Sequence, residues 1–285
     1  MHKSLVSSMV AITLIGFTAN VQAAGAGTKG KILVVASSTD TLILKDGKKD
    51  PTGYYLDELA VPAQKLIDAG YDVVIATPDG KTPVMDRTSV QVSLFDDKQD
   101  LDKALSWVKS WPSMQRPLTL KAAAEKNKEF AGVYVPGGHA PMNDLMQDPD
   151  LRRILQENHR QAKPTAFLCH GPVASLAALN TATEYRRALV SGQAEAIKQY
   201  GKDWQYAGYN MTIFSNDEEY VIEKDVLHGN VPFYVQDALQ AAGAKLTMAP
   251  KWQSHVVRDR ELITGQNPQS DKELAKVLIQ ALDGK

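Results

Sequence analysis

The sequence predicts one α/β domain, a mostly parallel sheet with helices on both faces. Three observations carry this expectation. Apolar runs of strand length alternate with segments of helical spacing along the chain. Several of those runs are continuous rather than alternating, as strands buried on both faces require. No internal repeat or low-complexity linker divides the 285 residues, which are enough for one sizeable core.

The elements follow in order. Gly30–Ser37 (GKILVVAS) is a buried strand, and a polar loop runs over Ser38–Tyr54. Leu56–Gly70 has helical spacing, Gly70 as its stop, and Pro62 predicting a kink or a late start. Tyr71–Pro78 is a second buried strand and completes a β-α-β unit, whose crossover is right-handed. Val92–Lys128 reads as a helical insert beside the sheet. Phe130–Pro136 is a third strand, and Asp148-Pro149 caps a helix that runs to about Gln161. Pro164–Leu168 is a fourth strand, followed by a helix over Gly171–Leu179. Asn210–Phe214, Lys245–Ala249 and His255–Thr264 read as strands, the last with a polar turn at Asp259-Arg260. Val231–Ala242 is a helix, and Ser270–Glu273 has the S-x-x-E pattern of a capping box opening the last one.

The N-terminus departs from this pattern. Lys3 precedes an uncharged, mostly apolar run, Leu5–Phe17, and Val21-Gln22-Ala23 has small residues at the positions a signal peptidase reads. Residues 1–23 are therefore expected to be a signal peptide and residues 24–285 a single periplasmic domain. No other stretch is a membrane candidate. The formal charge of −1 and the pI near 6.6 leave no basic excess for nucleic acid or an anionic membrane. Lys45–Asp50 and Asp217–Glu219 read as solvated surface.

Exported proteins use cysteines in pairs, yet this chain has one, Cys169. It is either an inert core residue or a reactive thiol. Its setting favours reactivity. The strand Pro164–Leu168 runs straight into Cys-His-Gly-Pro and a helix begins, the strand–turn–helix form of a nucleophile elbow. The helix dipole is expected to lower the thiol pKa. Strand ends of an open α/β sheet are also where ligands bind. A second strand ends in Gly137-Gly138-His139, whose backbone N–H groups are candidates for an oxyanion site. Glu58 stands at a helix start, where a dipole partner or solvated surface is the ordinary role. His170 adjoins Cys169 as a candidate base, and His255 reads as a strand-surface histidine.

Together the segments KILVVAS, GYYLDELAVP, GYDVVIATPDG, FAGVYVPGGHAPMNDL, AFLCHGPVASL, VPFYVQDALQAAGA and ELITGQNPQS resemble the ThiJ/PfpI superfamily, which is related to class I glutamine amidotransferases. They are closest in kind to its heat-shock chaperone-like branch, known as glyoxalase III or D-lactate dehydratase. The resemblance implies a flavodoxin-like three-layer sandwich with catalytic Cys169, His170 and Glu58. It implies that backbone N–H groups near Gly138 and His170 hold the substrate oxygen, with Gly137 and His139 as further candidates from the strand end. Some members pair an acid with the histidine; Phe214–Glu219 falls near that place without singling out a residue. Some members bind zinc through two histidines and a carboxylate. That set cannot be assembled from this sequence, so no metal or other cofactor is expected. Dimers are common in the superfamily, and a homodimer is an expected assembly.

The implied reaction converts methylglyoxal or a similar 2-oxoaldehyde to a 2-hydroxy acid without glutathione, through a Cys169 hemithioacetal. Two other functions compete. One is a periplasmic holdase using an apolar patch around Trp107 and Trp111, although core packing is the plainer role for these residues. The other is a cysteine peptidase or amidase using the same thiol. The late His-x-Glu of amidotransferases is absent, since His255 is followed by Val256-Val257. An exposed, low-pKa Cys169 would also oxidise, which adds a redox reading.

Overall fold

The computed structural model describes residues 28–284. The expected signal peptide, residues 1–23, lies outside them. Among the described residues no helix is long and apolar enough to cross a membrane.

Strands β1 (Lys31–Val35), β2 (Thr41–Ile43) and β3 (Lys49–Pro51) come first, then α1 (Leu56–Asp68) and β4 (Asp72–Thr77). Next are α2 (Lys98–Ser110), α3 (Pro112–Gln115), β5 (Leu118–Thr119), α4 (Leu120–Glu125) and β6 (Phe130–Val135). They lead to α5 (Pro149–Arg160), β7 (Thr165–Leu168), a 3₁₀ helix over Gly171–Ala178, α6 (Ala182–Val190) and α7 (Ala194–Tyr200). The chain closes with β8 (Asn210–Met211), α8 (Asn216–Ile222), α9 (Val235–Ala241), β9 (Lys245–Leu246), β10 (Val256–Asp259), β11 (Leu262–Gly265) and α10 (Asp271–Leu282).

Seven strands form the central sheet in the order β10-β11-β7-β6-β1-β4-β5. All its pairings are parallel except β10 against β11. This is the expected flavodoxin-like α/β sandwich. Helix α1 packs with α2 and α10, while α5 packs with α4 and the 3₁₀ helix. The continuous apolar strands are the sheet's centre: Ile32–Val35 and Val133–Val135 are fully buried. Asp148 caps α5 by accepting from the backbone N–H of Asp150 and Leu151.

Pro62 stays inside α1. A proline has no N–H to give the carbonyl four residues back, which here is Glu58 O. That carbonyl instead accepts a short hydrogen bond from the Tyr134 hydroxyl. The proline thus ties the first turn of α1 to β6 at the residue the resemblance marks as catalytic.

Several expectations need correction. Segment 92–128 is mostly helical, but it also contains β5, which extends the sheet beside β4. Strands β8 and β9 are short and pair with each other outside the main sheet. The helix after Cys169 is 3₁₀ rather than α. Ser270 does not cap α10, because its hydroxyl is engaged with the backbone of His255, and Glu273 reaches Ser254. The capping box stands at Ser215 and Glu218, opening α8. Glu218 and Glu219 are accordingly buried rather than solvated. Trp111 is buried and stacks on Trp107, so the Trp107–Trp111 pair is core packing rather than an open patch.

Candidate active site

Cys169 is the first residue after β7 and has φ +59°, a left-handed conformation strained for a residue with a Cβ. Hydrogen bonds hold it there. Its N–H donates to Gly265 O at 2.9 Å, and its carbonyl accepts from Phe214 N–H at 3.0 Å. The sharp turn of an elbow is therefore present, fixed between β11 and the segment that leads into α8.

Glu58 comes from the first turn of α1 and is fully buried beside the thiol. Its Oε2 accepts from Gly137 N–H at 2.8 Å, while Oε1 has no N–H or O–H partner. Gly137 permits this approach: a Cβ there would stand 2.6 Å from Glu58 Oε2 and 2.7 Å from Cys169 Cβ. Its N–H is committed to Glu58, so Gly137 positions that carboxyl rather than donating to a substrate oxygen. Gly138 has φ +85°, and a Cβ on it would fall 2.1 Å from Gly53 O. It lines the pocket over Cys169, as does His139.

On the other side of the thiol, His170 Nδ1 lies 3.3 Å from Cys169 Sγ. Its Nε2 is 2.7 Å from Glu219 Oε2. The second oxygen of Glu219 is 2.8 Å from His139 Nε2. One buried carboxylate on α8 therefore holds two imidazoles, whose rings lie 4.1 Å apart. A carboxylate only accepts, so both Nε2 atoms carry hydrogen, and the lone pair of His170 Nδ1 faces the thiol.

The charges follow from burial and contact. Burial would raise Glu219, but the two histidines outweigh it and hold its carboxyl well below the usual range. Burial would lower His139, but the Glu219 charge outweighs it and raises the imidazole. His170 is lowered, first by burial and then by the charge of His139. Glu219 is thus held ionised, while His139 is shifted toward its charged form and His170 toward its neutral one. Burial pushes the Cys169 thiol up, and the Glu58 charge pushes it the same way. The expected lowering by a helix dipole is thus corrected: the thiol is buried, and its 3₁₀ helix is a poor substitute for an α-helix. The His170 backbone N–H opposes the rise without reversing it. An exposed, low-pKa redox cysteine is not what the fold presents.

Burial pushes Glu58 up to about 8, against the lowering effects of Cys169 and Gly137. Folding therefore retains a proton on Glu58 between its ordinary value of 4.5 and about 8. The folded state binds more protons than the unfolded state in that window, so this group's contribution to stability falls as pH rises through it. Glu58→Gln removes the titration. Its melting temperature is expected to exceed that of the wild type by at least about 3 °C near pH 8, the gap closing toward pH 5. Equal melting temperatures across that range would contradict a buried, protonated Glu58.

Residues 52–281 match the sequence model of the DJ-1/PfpI family. The chain belongs to this family. It is similar to the protein/nucleic acid deglycase HchA of Pseudomonas aeruginosa, at 24% identity over 258 residues covering 88% of this chain and 80% of that protein. The same-named protein of Staphylococcus aureus is 26% identical, with 88% and 79% covered. Among solved structures, the Rapid Encystment Protein 24 kDa of Francisella tularensis has a TM-score of 0.68 at 26% identity, over 89% of this chain and 99% of that one. Glyoxalase III of Candida albicans shares the fold, with TM-score 0.67 at 21% identity, over 89% and 97%. The curated relatives support an HchA-like branch of the DJ-1/PfpI family.

In this DJ-1/PfpI chain the elbow opens into a cavity of about 280 Å³, lined by Cys169, His170, His139 and Gly138, by an apolar wall around Phe214 and Trp252, and by polar side chains that include Gln91 and Gln269. Sequence reasoning left the acidic partner of His170 open within Phe214–Glu219, and the structure selects Glu219. The S-x-x-E box of Ser215–Glu218 marks a helix start in that segment, but the burial that picks out Glu219 comes from the fold. His255 stands apart from this site, bonding Thr247 at 3.1 Å.

His139, His170 and Glu219 are also a set whose ligand atoms lie within 4.8 Å of one another, two histidines and a carboxylate. Each Nε2 already bonds a Glu219 oxygen, and no ligand atom of the three is orphaned. A metal would have to displace both bonds. The sequence left this two-histidine, one-carboxylate set unassembled, and the structure brings it together as a hydrogen-bonded network.

Proposed function

We propose that this DJ-1/PfpI protein is a glutathione-independent glyoxalase that converts methylglyoxal or a similar 2-oxoaldehyde to a 2-hydroxy acid. The observation that carries the reading is the thiol's position between a neutral base and a protonated acid. His170 Nδ1 faces Sγ at 3.3 Å, and Glu58 is protonated up to about 8.

The chemistry balances with these groups alone. Sγ adds to the aldehyde carbon, its proton passes to His170 Nδ1, and Glu58 protonates the new alkoxide to give a hemithioacetal. The Glu58 carboxylate then takes the proton from that carbon, while His170 protonates the neighbouring carbonyl oxygen, giving an enediol. Glu58 returns its proton to the second carbon and His170 takes the hydroxyl proton from the first, leaving a thioester. Glu58 takes a proton from attacking water and His170 returns one to the departing sulfur, releasing the hydroxy acid and the starting enzyme. General acid–base help of this kind is worth about 10²–10⁴-fold.

The relatives named as deglycases support a second substrate form for the same thiol chemistry, aldehyde–amine adducts. Reduced wild type, given methylglyoxal and no glutathione, is expected to form lactate in step with aldehyde loss. Lactate from a methylglyoxal-treated amine but none from the free aldehyde would move the assignment to deglycation. Neither product from folded, reduced protein would overturn the glyoxalase reading and turn attention to peptide hydrolysis and client holding.

A further inference from the structure

We infer that the pocket over Cys169 is built for a 2-oxoaldehyde carrying a flat apolar group, an aryl glyoxal, rather than for methylglyoxal. The inference rests on the proposed reaction and concerns the part of the cavity that reaction leaves unused. Methylglyoxal has five heavy atoms. At roughly 30 Å³ for each water-sized group it occupies about half of a cavity this size. The cavity measures about 280 Å³, and among the described residues its lining has no Asp, Glu, Lys or Arg, the buried Glu58 standing behind the thiol at its floor. An ammonium, guanidinium or carboxylate on the substrate has no counter-ion there beyond the histidines, whereas an apolar group has a wall to meet.

That wall is aromatic and leads outward from the base. Phe214 stacks on His170 with ring centroids 4.5 Å apart and 30° between planes. Trp252 follows at 5.8 Å from Phe214. Ile222 and Val226 line the same cavity. Val226 sits in a π-helical turn, Glu223–Leu227, a distortion that concentrates at functional sites. An aryl ring entering beside Phe214 and Trp252 would gain apolar burial and offset stacking together.

The wall is held in place at a cost. Trp252 has φ +62°, a genuine outlier for a bulky side chain, and is 37% exposed. Such strain persists only where surrounding contacts fix it. The fixing group is Glu218, fully buried. Its Oε1 accepts from Trp252 N–H at 2.9 Å and from Asn267 Nδ2 at 2.7 Å, and its Oε2 accepts from Ser215 N–H at 3.0 Å. Adjacent glutamates of α8 thus divide two tasks: Glu219 orients the histidines, and Glu218 positions the indole that faces the substrate's tail.

The test joins turnover with a binding measurement that needs no reaction. Wild type should show a kcat/KM for phenylglyoxal at least about tenfold above that for methylglyoxal, and Trp252→Ala should lower that ratio by a similar factor. In Cys169→Ser protein, tryptophan fluorescence is titrated with 2-hydroxyacetophenone and with hydroxyacetone, unreactive neutral analogues of the two substrates. The aryl ketone should quench emission with a Kd at least about tenfold lower, and the quench should vanish in Cys169→Ser/Trp252→Ala. Equal binding of both ketones, or a higher kcat/KM for methylglyoxal, would overturn the inference while leaving the reaction in place. Selective aryl-ketone binding with neither aldehyde converted would support the pocket assignment and overturn the reaction.

Discussion

Cys169→Ser is expected to lower kcat/KM for 2-oxoaldehyde turnover by at least about 10⁴-fold, the scale seen when a covalent nucleophile is removed. The hydroxyl holds its proton far more tightly than the thiol, and an oxyester would be a poorer intermediate for the final hydrolysis than a thioester. The fold should not change. The strain at φ +59° is set by backbone bonds from Gly265 and Phe214, which serine keeps. The melting temperature should therefore stay within about 2 °C of wild type, separating chemistry from stability. Full turnover by the serine variant would remove the covalent step and favour a holdase with incidental aldehyde binding.

Glu219→Gln is expected to cost about 10⁴-fold in kcat/KM, the scale found when the carboxylate behind a catalytic histidine becomes an amide. The arrangement here explains why. Both histidine Nε2–H groups donate to this one carboxylate. A glutamine offers one acceptor and one donor, so one imidazole must change state. If His170 changes tautomer, Nδ1 carries hydrogen toward Sγ and cannot take the thiol proton. If His139 changes, it gives up its charge. Breaking this buried pair also leaves an uncompensated group, worth about 3–5 kcal/mol of stability in comparable cases. Kinetics and melting curves of the same preparation check both losses. Near-wild-type kcat/KM in Glu219→Gln would mean that His170 is not the base.

Much of the scaffold was legible in the sequence because its signals are local. Continuous, mostly apolar runs marked β1, β4, β6 and β7, and Asp148-Pro149 marked the start of α5. The elbow at Cys169 was legible for the same reason: strand, turn and helix start lie within one short segment. What was not legible depends on distant partners. Asn216–Tyr220 has the composition of surface, and only the fold buries Glu219 between His139 and His170. Ser270 has the right spacing for a cap, but the backbone of His255 claims its hydroxyl. Glu58 at a helix start looked like a dipole partner until α1, β6 and the elbow enclosed it. The thiol's pKa was misjudged for a related reason, because a local dipole was weighed without the desolvation that the whole site imposes.

The central claim is that Cys169 works as a thiol between a neutral base and a protonated acid, and the pH–rate profile of wild type beside Glu58→Gln tests it most directly. Glu58 is raised to about 8, so activity should fall as pH rises through that value and the acid is lost. His170 is lowered, so the acid limb should lie below the ordinary imidazole value of 6.5. Glu58→Gln should be slower by about 10²–10⁴-fold and lack the limb near pH 8. A wild-type rate that climbs through pH 8 toward a free-thiol plateau, unchanged in shape in Glu58→Gln, would contradict the account.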